Sequence, residues 1–398
     1  MGGEGDDDAR WSCAAAARGG ADIIFRRRPR RRRFRQMQIC VVTPTRRTGH
    51  SEARAPMRAS APAVIAPLAP LTPLARARRR RAAAPRAMGR VLPSVVVEPT
   101  LLASSPEAPA RDTLVFLHGW PDSPALWDSQ TNALAREGYR CVSIPLPGYP
   151  PDDARAGATA AGRMNLNFDA AVEDVASTMR ATTTPPATVI AHDWGCVVTY
   201  RLQRKHPELV RRVAVLDVGN DVDGLTRRER AWIVAYQAWL IAAHQAGGAV
   251  GDWMTTTFAR AAGAPGVGGR GEGGRRTVSA ALNWPYAAFW RERLRGGGGG
   301  GEDEEKTSAD ERRIGDASSR RVPSCATLYM YGTDKPARFH GDRWLKDVRE
   351  NPAGGKVVAV EGAGHWFLVT HASATNEALS TWLRETEDAP PPRSRSAL

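Results

Sequence analysis

The chain has 398 residues, 42% hydrophobic and 25% charged, a globular profile long enough for one large domain or two small ones. Its net charge of +14 would suit nucleic acid, but the excess sits in residues 1–90, which hold 21 Arg, no Lys and six acids; the near-neutral remainder argues against a nucleic-acid footprint on the folded body. Apolar runs all fall short of the roughly 18 residues a membrane helix needs. The five scattered Cys contain no C-x-x-C pair, which speaks against a zinc ribbon or disulfide framework and fits a reducing, intracellular compartment.

In chain order, residues 1–90 come first. They are rich in Arg, Ala and Pro, with runs such as "RRRPRRRRFR", and are predicted to be disordered. From Met57 onward the segment has no acid, a composition that suits a transit peptide for a plastid or mitochondrion. The acidic start "GEGDDD" does not suit one, so Met57 or Met37 is an alternative initiator. An idle extension would leave the protein in the cytoplasm.

The body alternates. "DTLVFLH" is a strand and "SPALWDSQTNALAREGY" a helix stopped by Gly138. "RCVSIPL" is the next strand. "FDAAVEDVASTMRAT" is an amphipathic helix with Phe168, Val172, Val175 and Met179 near 3.6 spacing. "ATVIA", "GCVVTYRLQRKHPE" and "RRVAVLD" read as strand, helix and strand. Such alternation predicts a mostly parallel sheet with helices on both faces. After Asp217 it stops, and three apolar-aromatic helices follow: "TRRERAWIVAYQAWLIAAHQA", "GDWMTTTFARAAG" and "TVSAALNWPYAAFWRERL". Gly-rich or charged stretches separate and follow them. "CATLYMYG" and "GKVVAVEG" resume the strands, and "ASATNEALSTWLRE" closes the fold. The expected organisation is a core over 91–217 and 324–387, a helical cap over 218–323, and a tail over 388–398. An insert at the carboxyl ends of the strands would roof the place where such sheets bind ligands.

"VIAHDWGCVVTY" joins a predicted strand to a predicted helix. Ala191, Asp193 and Gly195 stand at the spacing of a nucleophile elbow, a sharp turn that lifts one side chain into a cleft. Asp stands where Ser is usual. A serine attacking a saturated carbon would make an ether, which water does not readily reverse. A carboxylate makes an ester, whose carbonyl carbon an activated water can attack. Asp193 therefore points to displacement at saturated carbon. The bland alternative is a helix N-cap.

"FLHGWPDSPALW", "AHDWGC" and "GAGHWF" together resemble the α/β-hydrolase superfamily, in its epoxide-hydrolase and haloalkane-dehalogenase branch, over about residues 95–387. The resemblance implies an α/β-hydrolase fold with a helical cap. It implies His365 as general base, and the backbone N–H groups of Trp120 and Trp194 as donors to the oxyanion formed when water attacks the ester. The acid that orients His365 is left between two residues. Asp334 follows the strand "ATLYMYG", one place before the family's usual Gly-x-x-Asp position, which Lys335 occupies. Asp217, in "AVLDVG", stands where some dehalogenases keep their acid. Asp221 is a weaker third. His118 and His192 read as turn and packing residues.

Epoxide hydrolases carry two cap tyrosines that receive the opened oxygen. Tyr236, in its Tyr-Gln context, resembles the first. Tyr286 resembles the second, displaced one place by Pro285, which is about 100° on a helix unless Pro285 starts it. The resemblance thus implies an epoxide hydrolase-like enzyme acting on a small apolar organic substrate and water, with no metal or organic cofactor. A haloalkane dehalogenase is the alternative, and a non-catalytic binding protein of this fold a third.

Overall fold

The apolar runs of the body form one sheet. The computed structural model describes residues 12–13, 23–26, 89–99, 111–149, 166–267, 276–296 and 322–388, all within a single unit of the chain (Met1–Arg27 with Met88–Leu398). The strands are β1 (Ser12–Cys13), β2 (Ile23–Arg26), β3 (Val95–Val97), β4 (Thr113–Leu117), β5 (Arg140–Ile144), β6 (Ala187–His192), β7 (Val210–Leu216), β8 (Ala326–Gly332) and β9 (Gly355–Val360). Their order in the sheet is β1-β2-β9-β8-β7-β6-β4-β5-β3. The β1–β2 and β3–β5 pairs are antiparallel, and every other pair is parallel.

Between and after the strands come α1 (Asp128–Arg136), α2 (Phe168–Thr182), α3 (Trp194–Lys205), α4 (Arg227–Ala246), α5 (Gly248–Ala261), α6 (Trp284–Gly296), α7 (Asp342–Arg349), α8 (Phe367–Thr370) and α9 (Ala372–Glu385). All six residues of β6 are buried, as expected of a parallel strand covered on both faces. The two-residue alternation of β4 divides the core. Val115 and Leu117 face a cluster with Phe168, Val172, Val175 and Met179 of α2 and Val198 and Leu202 of α3. Leu114 and Phe116 face a second cluster with Leu134 of α1 and Leu379, Trp382 and Leu383 of α9. Local chemistry sets the helix starts. The Asn167 side chain accepts from the Ala170 N–H at 2.8 Å, and Thr226 and Glu229 form a reciprocal capping box at α4.

The parallel sheet and its flanking helices are those of the sequence reading. Three features differ. β1 and β2 fall inside the stretch read as disordered; β2 pairs parallel to β9, with Ile23 opposite Val358. β3 is a short edge strand that the pattern did not announce. The short α7 is polar at five of its eight positions, and only Trp344, Leu345 and Val348 anchor it. The rest of 1–88, most of both Gly-rich stretches and the tail from 389 lie outside the described residues.

Helices α4 to α6 connect β7 to β8 and pack against the carboxyl ends of the strands. Asn283, fully buried, is the clip between them. Its Oδ1 accepts from Trp120 Nε1 at 2.7 Å, just beyond β4. Its Nδ2 donates to the Leu240 carbonyl of α4 at 3.0 Å and to Thr255 Oγ1 of α5 at 2.8 Å. Tyr149, beyond β5, adds a 2.6 Å bond to the Leu282 carbonyl.

Candidate active site

Five strand ends converge under that roof. Beyond β6 stands Asp193, with φ 51° and ψ −122°. Such a conformation is sparsely populated for a side-chain-bearing residue and costs roughly 1–3 kcal/mol. Two neighbouring glycines let the turn close. A Cβ on Gly119 would lie 2.4 Å from the Cβ of Asp193, and one on Gly195 would lie 2.3 Å from the Leu117 carbonyl oxygen. Among the described residues the Asp193 side chain makes no capping bond to α3. Its two oxygens have different surroundings instead. Oδ2 accepts from the Trp120 N–H at 2.8 Å, and Oδ1 lies 4.0 Å from His365 Nε2. Burial raises the Asp193 pKa; the charge of His365 and the N–H groups of Trp120 and Trp194 oppose this without cancelling it.

His365 lies beyond β9. Its Nδ1 is 2.5 Å from Asp217 Oδ2, which assigns the proton to Nδ1 and leaves the Nε2 lone pair facing Asp193. Neighbouring rings fix its plane. Trp366 lies at 4.7 Å and Phe339 at 5.6 Å between centroids, and His192 at 4.5 Å donates from Nε2 to the His365 carbonyl. Burial alone would depress the imidazole; the Asp217 bond and the charges of Asp217 and Asp193 outweigh it, so its pKa is raised.

Asp217, immediately after β7, is fully buried. Burial would raise its pKa, but Lys335 and His365 hold it well below the usual carboxylate range. Its Oδ1 is bound by Lys335 Nζ and by the Gly332 N–H at 3.2 Å. Of the two acids left open by the sequence, only Asp217 is bonded to His365. Asp334 is a correction: its side chain is exposed while its N–H is tied to the Ala363 carbonyl at 2.9 Å. The chain turns outward at Asp334 and back inward at Lys335. Asp221 accepts from the Asp223 N–H at 2.8 Å, a loop contact.

The roof is aromatic. Tyr286 is 4% exposed and meets Trp194 edge-on at 5.0 Å and Trp120 at 5.8 Å. Pro285 lies in the first turn of α6, so the helix begins where the extra residue falls and Tyr286 faces inward. Tyr236 stacks on Phe258 at 5.4 Å and lies edge-on to Tyr286 at 6.0 Å. Burial raises both phenols, and the charge of Asp193 adds to it. Trp290 Nε1 donates to Gln237 Oε1 at 2.7 Å, and Gln237 Nε2 donates to the Tyr236 hydroxyl at 3.2 Å. The Tyr236 oxygen is thus used as an acceptor, which leaves its hydrogen available to a partner in the cleft. Among the described residues Trp194 Nε1 is buried without a hydrogen-bond partner.

One acid of the site escaped the sequence reading. Asp122, directly after "HGWP", is 4% exposed and accepts from Trp366 Nε1 at 3.0 Å. Burial pushes its pKa up to about 7 against the pull of Trp366 and His365. Its place in the motif was the available signal.

The profile of the alpha/beta hydrolase family matches residues 114–378. Among curated proteins, the chain is similar to epoxide hydrolase 2 of Caenorhabditis elegans, 29% identical over 113 residues, which is 28% of this chain and 30% of that protein. It is also similar to epoxide hydrolase B of Mycobacterium tuberculosis, 32% identical over 129 residues, 31% of this chain and 34% of that one. The chain spans about a third of the length of these curated relatives. A solved haloalkane dehalogenase loop variant from Bradyrhizobium elkanii aligns with 75% of this chain and 98% of its own at 16% identity and TM-score 0.49.

Proposed function

Because this chain belongs to the alpha/beta hydrolase family, we propose that it hydrolyses epoxides of small apolar molecules through an ester on Asp193. The observation that carries this reading is the division of labour in the Asp193 carboxylate: Oδ2 is held by the Trp120 N–H, and Oδ1 is left facing the cleft and His365. Oδ1 attacks a ring carbon and the carbon–oxygen bond of the epoxide breaks. The departing oxygen takes hydrogen bonds, and a proton, from Tyr236 and Tyr286. His365 Nε2 then removes a proton from water, and the hydroxide adds to Cγ of the ester. The charge that develops falls on Oδ2, which the Trp120 N–H already holds, with the Trp194 N–H beside the carboxylate. Collapse breaks the Cγ–Oδ1 bond and the imidazolium protonates the departing alkoxide; the Asp193 carboxylic acid left behind gives its proton back to the tyrosinate, and a vicinal diol leaves.

Asp217 holds the imidazole in the tautomer this requires. The aromatic walls offer an apolar substrate surface area and few competing polar partners.

A second reading has one observation in its favour. The unpartnered Trp194 Nε1 would suit a halide leaving group, as in a haloalkane dehalogenase. A non-catalytic binding role is supported least, since both Asp193 and His365 are present and lie 4.0 Å apart.

Intact-mass measurement on the His365→Gln chain separates the three. With the base removed, the ester accumulates. Incubation with styrene oxide and other epoxides is expected to add the whole epoxide mass to the peptide holding Asp193. Addition of an alkyl group from a bromoalkane, with nothing from epoxides, would replace the first reading with the second. No adduct from either would favour binding without turnover.

A further inference from the structure

The position from which this family usually supplies its acid, three residues after Gly332, carries a lysine, and that lysine reaches back to the acid's substitute. We propose that Lys335 is a positioning residue: its ammonium takes the Oδ1 edge of Asp217, fixes the carboxylate with Oδ2 toward His365, and supplies the counter-charge that lets the imidazole work as a base. The role attached to His365 rests on the reading above.

The geometry is specific. Lys335 Nζ and the Gly332 N–H share Oδ1 of Asp217, and among the described residues His365 Nδ1 alone occupies Oδ2. The Lys335 side chain is 5% exposed and Asp217 is fully buried, so neither charge is met by bulk water. The ammonium also lies 5.3 Å from the Phe339 ring, which meets His365 edge-on at 5.6 Å. A buried ion pair whose partner is removed leaves an uncompensated charge, so each member depends on the other.

Counting charges gives the pair its purpose. Around His365 stand Asp217 from the end of β7, Asp193 and His192 from the end of β6, Lys335 beyond β8 and Asp122 beyond β4. Around Asp217 stand Lys335, His365, the Tyr329 hydroxyl on its carbonyl at 3.0 Å, and His340 behind Tyr329 at 2.9 Å. His192 and His340 are both held toward neutrality by burial. Without Lys335, His365 would be the sole cation beside two carboxylates, Asp193 and Asp217. It would keep its proton and could not take another from water. With Lys335, Asp217 is already neutralised. Once Asp193 becomes an ester and loses its charge, the imidazole sits beside a balanced pair and is free to accept a proton at the step that needs it.

The test follows the His365 imidazole by NMR titration of the full chain labelled at histidine nitrogens, with His365→Gln assigning the signal. Lys335→Met is expected to raise the midpoint of His365 by roughly one pH unit, and Lys335→Arg, which keeps the charge, to leave it near the wild-type value. A folded Lys335→Met chain with the wild-type midpoint would overturn the proposal. Should Lys335→Met not fold, Asp217→Asn is compared with Asp217→Asn/Lys335→Met, where no charge is stranded. A higher midpoint in the double variant supports the proposal, and equal midpoints overturn it. In turnover of styrene oxide, a one-unit shift makes ester hydrolysis about tenfold slower on the acid limb. If the His365→Gln chain gathers no ester from any probe, the reading of the reaction falls, while the titration still decides the role of Lys335.

Discussion

His365 Nε2 faces Asp193 Oδ1 across 4.0 Å, within ion-pairing range and beyond hydrogen-bonding range. In the proposed mechanism the base thus leaves the lone pairs of the nucleophile free, and each acts at its own step. Replacing Asp193 by Asn removes the nucleophile while keeping the shape. Steady-state assays are expected to lose roughly a thousandfold or more in turnover. Wild-type rates from this variant would remove Asp193 from the chemistry.

Asp217 and Asp334 were indistinguishable by sequence and are opposite in surroundings. Asp217→Asn is expected to slow ester hydrolysis by about 10²–10⁴-fold, because the imidazole loses its fixed tautomer. Asp334→Asn, at an exposed side chain, is expected to stay within about twofold, the range of an ordinary surface change. Single-turnover decay of the ester in both variants is the measurement. Reversed effects would return Asp334 to the site.

Tyr236→Phe and Tyr286→Phe each remove a donor to the opened ring oxygen. Each is expected to lower ester formation from an epoxide by about 10²-fold, and the double change by more. A bromoalkane probe, whose leaving group needs no proton, provides the contrast. Equal losses with both probes would mean that the tyrosines shape the cleft and do not donate.

Asp122 gives a signature in stability. Its folded pKa is raised to about 7 from an ordinary 3.8, so the folded state holds a proton that the unfolded chain gives up. Its favourable contribution is complete below about pH 4 and is lost as pH rises through about 7. Asp122→Asn is expected to flatten the decline over that window and to raise stability above it, by up to about 4 kcal/mol from the three-unit shift. Urea midpoints of both chains from pH 4 to pH 8 read this directly. Parallel curves would show that Asp122 is no more perturbed than a surface carboxylate.

Much of the sheet was legible because its central strands are buried on both faces and read as continuous apolar runs between Gly and Pro stops. Asp193 and His365 were legible because a turn that exposes one side chain needs small neighbours at fixed offsets. β3 was not, since three half-exposed valines at an edge carry no distinctive pattern. The choice between Asp217 and Asp334 depends on where the segment after Gly332 turns, and a one-residue difference there exchanges inside for outside. Lys335 was visible only as a departure from spacing, because a lysine in a loop normally signals solvent. Tyr286 turned on whether Pro285 opened the helix, which packing against Trp194 decides and local propensity does not.

The Asn283 clip also bears on traffic. Lifting α4 to α6 away as a body would break the amide's bond to Trp120 and strand two buried polar groups, at about 1–3 kcal/mol each. Rotation of Phe258 and Phe289, which lie against Trp120 and Trp194 and carry no polar side-chain atom, strands none. Under the proposed reaction, substrate and product should therefore come and go through a doorway of moving rings, with the ceiling itself left in place. The width of that doorway, set by side-chain size in α4 and α6, would then choose among guests while the chemistry beneath stays constant.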